Sequence, residues 1–119
     1  MNTIDWRRII REELEFLASE ERQLEYERNV PHVDITAELL CGWFDDSYHP
    51  HDKGFCSCFE RHELEVLARF NQFYDERTSR LPESKGTVRT WLQTSAWREV
   101  MREAQLTHVL LKPGVLRPD

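Results

Sequence analysis

The sequence predicts an all-α fold, a single-domain bundle of about four to five helices, and three observations lead there. Apolar residues recur at helical spacing through every long segment, and no stretch alternates for long enough to make a strand. Residues that cap helices stand before these segments, and Pro or Gly stands after several of them. The 119 residues suffice for one core, and four Trp, six Phe and three Tyr supply enough large apolar surface to offset the entropy of ordering.

Thr3 is positioned to cap a first helix running to about Arg28, in which Trp6, Ile10, Leu14 and Leu17 form the apolar stripe and Ile9 and Phe16 widen it. Its other residues, Glu12, Glu13, Glu15, Glu20, Glu21, Glu25 and Glu27 among five arginines, read as a solvated face with supporting pairs three or four apart. Ser19 marks a place where this helix can break. Pro31 stops it.

Asp34 then caps a second helix to about Asp46, whose rows Ile35-Leu39-Trp43 and Leu40-Phe44 turn toward a core. Asp45 and Asp46 at its end oppose the helix dipole by a few tenths of a kcal/mol each, an unfavourable placement that invites a functional explanation. Tyr48 to Gly54 reads as loop. A third helix spans about Glu60 to Thr78 on Leu64, Leu67, Phe70 and Tyr74, with Ser57, or the position two residues later, as the cap. The stretch SRLPESKG, residues 79–86, is the clearest linker. Thr87 caps a short helix with Val88, Trp91 and Leu92, and Thr94 or Ser95 caps a last one with Trp97, Val100, Met101, Ala104 and His108. Residues 112–119 read as a flexible tail.

The net charge of −6 argues against non-specific binding to nucleic acid or to an anionic membrane, both of which need a basic face. No apolar run approaches the roughly 20 residues that span a bilayer, and MNTIDWRRII lacks the smooth apolar core of a secretory signal. A cytoplasmic location is expected, with the three cysteines reduced.

Most of the chemically unusual residues fall in LLCGWFDDSYHPHDKGFCSCFERHE, residues 39–63. His49, His51, Cys56, Cys58 and His62, with Cys41 nearby, are soft ligands that zinc could use. Their C-x-C and H-x-H spacings are not those that present two ligands to one tetrahedral ion, so no cofactor is expected and a structural zinc stays an alternative. Cys41 with a loop histidine is the only nucleophile and base worth naming, and mid-helix it reads as inert. Asp45 and Asp46, consecutive, point about 100° apart on a helix and cannot serve one substrate together. No enzyme is expected.

Charge is the stronger signal. Pro31 to Glu60 holds six acids (Asp34, Glu38, Asp45, Asp46, Asp52, Glu60) against one base, whereas Leu64 to Asp119 holds seven acids against nine bases. Gathered where the second helix meets the third, Asp45, Asp46, Asp52 and Glu60 would make an acidic patch carrying Trp43 and Tyr48, residue types that anchor interfaces. Such carboxylates can occupy cationic sites of a nucleic-acid enzyme as phosphates do. The plainer reading turns both aromatics into the core and leaves a solvated loop.

The series ELLCGWFDDSYHP, FERHELEVLARFNQFYDER, LP and AWREVMREA, over about residues 35–105, resembles small bacterial immunity proteins that accompany polymorphic toxins, including those of contact-dependent growth inhibition. The resemblance implies a non-enzymatic cytosolic protein that binds a delivered toxin domain, commonly a nuclease, and blocks its active site or substrate surface. It assigns no site residue; those above come from charge alone. A monomer or weak dimer is expected. The alternatives are a helical adaptor or regulator of another protein and a small zinc-stabilised module.

Overall fold

In the computed structural model, residues 4–82 and 87–111 are described, and all their regular structure is helical, without strands. Seven α-helices follow one another: α1 (Trp6–Ala18), α2 (Glu20–Asn29), α3 (Ile35–Cys41), α4 (Lys53–Cys56), α5 (Arg61–Thr78), α6 (Val88–Leu92) and α7 (Ser95–Leu110), with a π-helical turn, Gly42–Ser47, continuing α3. The all-α expectation holds. The helix number exceeds the four to five expected, for two local reasons.

First, the long N-terminal segment is two helices. Ser19 is extended (φ −113°, ψ 106°), closes α1, and caps α2 by accepting from the Arg22 N–H. Glu20 and Glu21 in the first turn of α2 suit its positive end. The break would strand the last carbonyls of α1. Gln23, fully buried, answers this: its side-chain amide donates to the carbonyls of Phe16 and Leu17, both at 3.0 Å, while its Oε1 accepts from Trp97 Nε1 at 3.1 Å. At the start of α1 the cap is Asp5, which accepts from the Arg8 N–H at 3.1 Å; Thr3 lies outside the described residues.

Second, part of the expected loop after Tyr48 is helical. Asp52 caps α4 by accepting from the Phe55 N–H at 3.0 Å, and Phe55, fully buried, packs between Trp6, Tyr48 and Phe59 at ring distances of 5.6, 5.7 and 4.9 Å. The gain from burying one aromatic ring, about 1.5 to 3 kcal/mol, accounts for a helix too short to form alone. The cap of α5 is Glu60 and not Ser57: Glu60 and Glu63 form a capping box, with the Glu60 N–H donating to Glu63 Oε1 at 2.8 Å.

The other boundaries fall where the sequence places them. Asp34 caps α3, with Oδ1 accepting from Thr36 Oγ1 at 2.6 Å and from two backbone N–H groups, and these bonds, the Thr36 hydroxyl foremost, hold its carboxyl below the usual range. Thr87 caps α6 and Thr94 caps α7. The last four residues of the expected linker, 83–86, and the expected tail, 112–119, lie outside the described residues.

α7 is central, packing chiefly on α1 and α5 and also on α6; α2 meets α6, and the π-turn lies on α1. The buried apolar residues form one core, with Trp43, Trp91, Trp97 and Tyr74 the largest. Trp97 sits 4.8 Å from Trp91 and 6.0 Å from Tyr74. His108 lies beside α1 with Nε2 2.9 Å from Glu15 Oε2, so the helix residue expected at this position also ties α7 to α1. Among the described residues no helix is long and apolar enough to cross a membrane.

Candidate functional site

The π-turn carries two adjacent exposed acids, Asp45 and Asp46. Ile35, Leu39, Trp43 and Ser47, each four residues apart, are all buried. In an α-helix each such step drifts by about 40° around the axis, so three steps would swing Ser47 off the core-facing side. Wider π winding, with the Tyr48 N–H bonded to the Trp43 carbonyl at 3.0 Å, keeps the row inward. Asp45 and Asp46 consequently face solvent. Glu38 is exposed on α3, as is Cys41. The neighbouring Asp45 carboxylate first, then burial and the charges of Asp46 and Glu38, push the Cys41 thiol up. Among the described residues no cation forms a salt bridge with Glu38, Asp45, Asp46 or Asp52.

Not all six residues expected at the patch belong to it. Trp43 is fully buried, stacked on Tyr48 at 5.1 Å and 11°, edge-on to Phe70, with Nε1 donating to Asn71 at 3.0 Å. This corrects its assignment as a surface anchor: its apolar area and its N–H are both satisfied inside the core. Tyr48 is half-buried, and burial raises its hydroxyl pKa. Asp52 is exposed and occupied as a helix cap. Glu60 belongs to another group of charges, with Glu63, with His62 at 3.6 Å and with Arg7, on which its charge acts. Asp45 and Asp46 keep the exposure the charge argument requires, and Glu38 joins them.

Glu13 was not singled out by the acidic segment, and its placement on a solvated face is corrected here. Its carboxyl lies against Gly42, where an added Cβ would meet Oε2 at 2.8 Å. Oε2 is buried without a hydrogen-bond partner. Burial first and the charge of Asp46 second push this carboxyl up to about 7. A signal was present in the sequence: position 13 falls between Ile9 and Leu17 on the helical wheel, inside the apolar stripe.

The cysteine and histidine loop does not converge. Cys56 Sγ donates to the Pro50 carbonyl at 3.2 Å, and Cys58 Sγ to the carbonyls of Gly54 at 3.4 Å and Ile4 at 3.8 Å. His49 packs on Trp6 at 4.8 Å with Nε2 on the Asp46 carbonyl, and His51 and His62 are exposed. All three cysteines are free thiols, and Cys41 is exposed because its position turns away from the Ile35-Leu39-Trp43 row. Among the described residues no three His, Cys, Asp or Glu side chains meet where they could hold a metal ion, so the zinc-module alternative finds no ligand set there.

A second surface lies between α5 and α7, an apolar groove of about 390 Å³ lined by Val66, Phe70, Phe73, Leu106, Val109 and Leu110 among others. Leu106, Val109 and Leu110 are 51, 67 and 56 % exposed. Comparison with protein-family models, with curated proteins and with solved structures finds no match.

Proposed function

We propose that this chain is a non-enzymatic, cytoplasmic immunity protein that binds a basic surface of a cognate toxin domain, a nuclease by the chemistry of its acids, and excludes the toxin's substrate. The observation that carries this reading is the outward-facing set of Glu38 on α3 with Asp45 and Asp46 on the π-turn, without a salt bridge among the described residues, the turn's other face being locked into the core by Trp43. Unpaired carboxylates on a fixed backbone can meet cations that otherwise grip phosphates. Their long-range field speeds capture, and the exposed edge of Tyr48 beside them adds contact area. The resemblance of residues 35–105 to toxin-associated immunity proteins supports the same reading.

The test is co-expression with the toxin domain encoded beside this chain, together with the purified pair. Wild-type protein should protect cells, and Asp45→Lys/Asp46→Lys should lower the association rate by about ten- to a hundredfold at low salt while leaving helical circular dichroism unchanged. Undiminished protection by the double variant excludes this surface.

The α5–α7 groove favours a second reading, a helical adaptor that receives an apolar segment of another protein. Leu106→Glu/Leu110→Glu separates the two: an adaptor gives no protection in the co-expression assay and loses its apolar partner segment through this variant, while Asp45→Lys/Asp46→Lys still binds that segment.

A further inference from the structure

The Glu13 carboxyl is pressed against the backbone of the acidic turn. An added Cβ at Gly42 would stand 2.8 Å from Oε2, and that oxygen is buried without a hydrogen bond. Three elements bring titratable groups to it or its neighbours. The turn contributes Asp46, a like charge that acts on Glu13 directly. α5 contributes the fully buried Tyr74, whose hydroxyl donates to the Leu39 carbonyl at 3.1 Å and not to Glu13. The end of α3 contributes the Cys41 thiol, on which Asp45 and Asp46 act. Farther out, His49 Nε2 touches the Asp46 carbonyl at 3.1 Å. No positive charge contributes to the balance at Glu13, and the residue as a whole is part-buried, so ionisation places charge on a carboxyl whose Oε2 is shut off from water, beside another charge of the same sign.

We propose that Glu13 is a proton-operated latch on the acidic turn: protonated, it lets Gly42–Ser47 close onto α1; ionised, it drives the turn away until its enclosed oxygen, Oε2, reaches water. The latch belongs to the turn itself and operates whatever partner binds there. With the turn closed the carboxyl titrates at about 7, against an ordinary 4.5. The closed form therefore holds a proton that the open form releases between these two values. Opening becomes easier as pH rises from about 4.5, by about tenfold per unit, and levels off above about 7.

The Tyr48 N–H, bonded to the Trp43 carbonyl, reports the opening by amide hydrogen exchange corrected for its intrinsic rate. Its protection should fall by about tenfold per pH unit between pH 5 and 7 and then flatten, while the Val30 N–H at the end of α2 does not follow that course. Glu13→Gln should give Tyr48 a flat profile. Asp46→Asn should keep the slope and flatten at lower pH, because one like charge has gone. A wild-type profile already flat, or a slope that survives in Glu13→Gln and so belongs to His49, overturns the proposal. Carboxyl-carbon NMR of the unaltered protein gives a variant-free check, and a Glu13 midpoint near 4.5 overturns it as well.

Discussion

Arg7 and Glu63 stand 56 positions apart in the chain, yet they form the most enclosed ion pair among the described residues, with N···O distances of 2.9 and 2.6 Å and Glu63 fully buried. The guanidinium also lies 5.1 Å above the Phe59 ring. Glu63 in turn accepts from the Glu60 N–H, so one carboxylate closes the start of α5 and fastens it to α1. Arg7 is held above its usual pKa chiefly by the Glu63 bond and stays charged at every accessible pH. Breaking such a pair from one side is expensive, because a buried carboxylate loses its cation. Arg7→Ala should therefore lower the unfolding free energy in urea by about 3 kcal/mol or more. Arg7→Lys should recover little, since an ammonium cannot donate in the bidentate way, and Arg7→Met/Glu63→Leu should lie closer to wild type than Arg7→Ala. Neither residue announced this in the sequence. Both were legible as helix residues, but a pairing across 56 positions belongs to the packing of α1 on α5. Glu13 differs, because its place within an apolar stripe could be read on a wheel.

At the scale of elements, the break at Ser19 shows local and tertiary effects acting together. Ser19 with Glu20 and Glu21 favours a new helix start, which the sequence allowed as a possible break. What makes it permanent is Gln23, whose side chain serves the orphaned carbonyls of α1 and the Trp97 indole of α7 at once. The two contributions should separate on mutation. Ser19→Ala removes one cap bond and should destabilise by about 1 kcal/mol. Gln23→Ala strands a buried indole N–H and a buried carbonyl, and should destabilise by about 2 to 4 kcal/mol in the same urea experiment. Equal losses would mean that the cap alone makes the break. The π-turn teaches the same lesson: the 35-39-43 row is visible in the sequence, but the wider winding that brings Ser47 into the core as well is settled by contacts with Asn71, Phe70 and α1.

At the scale of the whole molecule, the pH dependence of stability follows from Glu13. Its folded value of about 7 lies above the ordinary 4.5, so the folded chain binds the extra proton in between. The stabilisation is whole below pH about 4.5 and is lost as pH rises through about 7, an effect on the order of 3 kcal/mol. The unfolding free energy of Glu13→Gln, measured against wild type at pH 5 and pH 8, should improve in relative terms by about that much at the higher pH. A difference that does not change with pH would mean that the carboxyl is never held out of water.

The chain by itself determined the helical class, most helix boundaries and the concentration of acid between Pro31 and Glu60, because periodicity, caps and charge are properties of neighbouring residues. Only the tertiary structure decided that Trp43 is a core residue, that Glu60 joins Arg7 and Glu63 while Asp45 and Asp46 stay exposed, and that Glu13 lies beneath them. Burial and pairing depend on which distant surface packs against a helix, and that surface is set by segments many residues away.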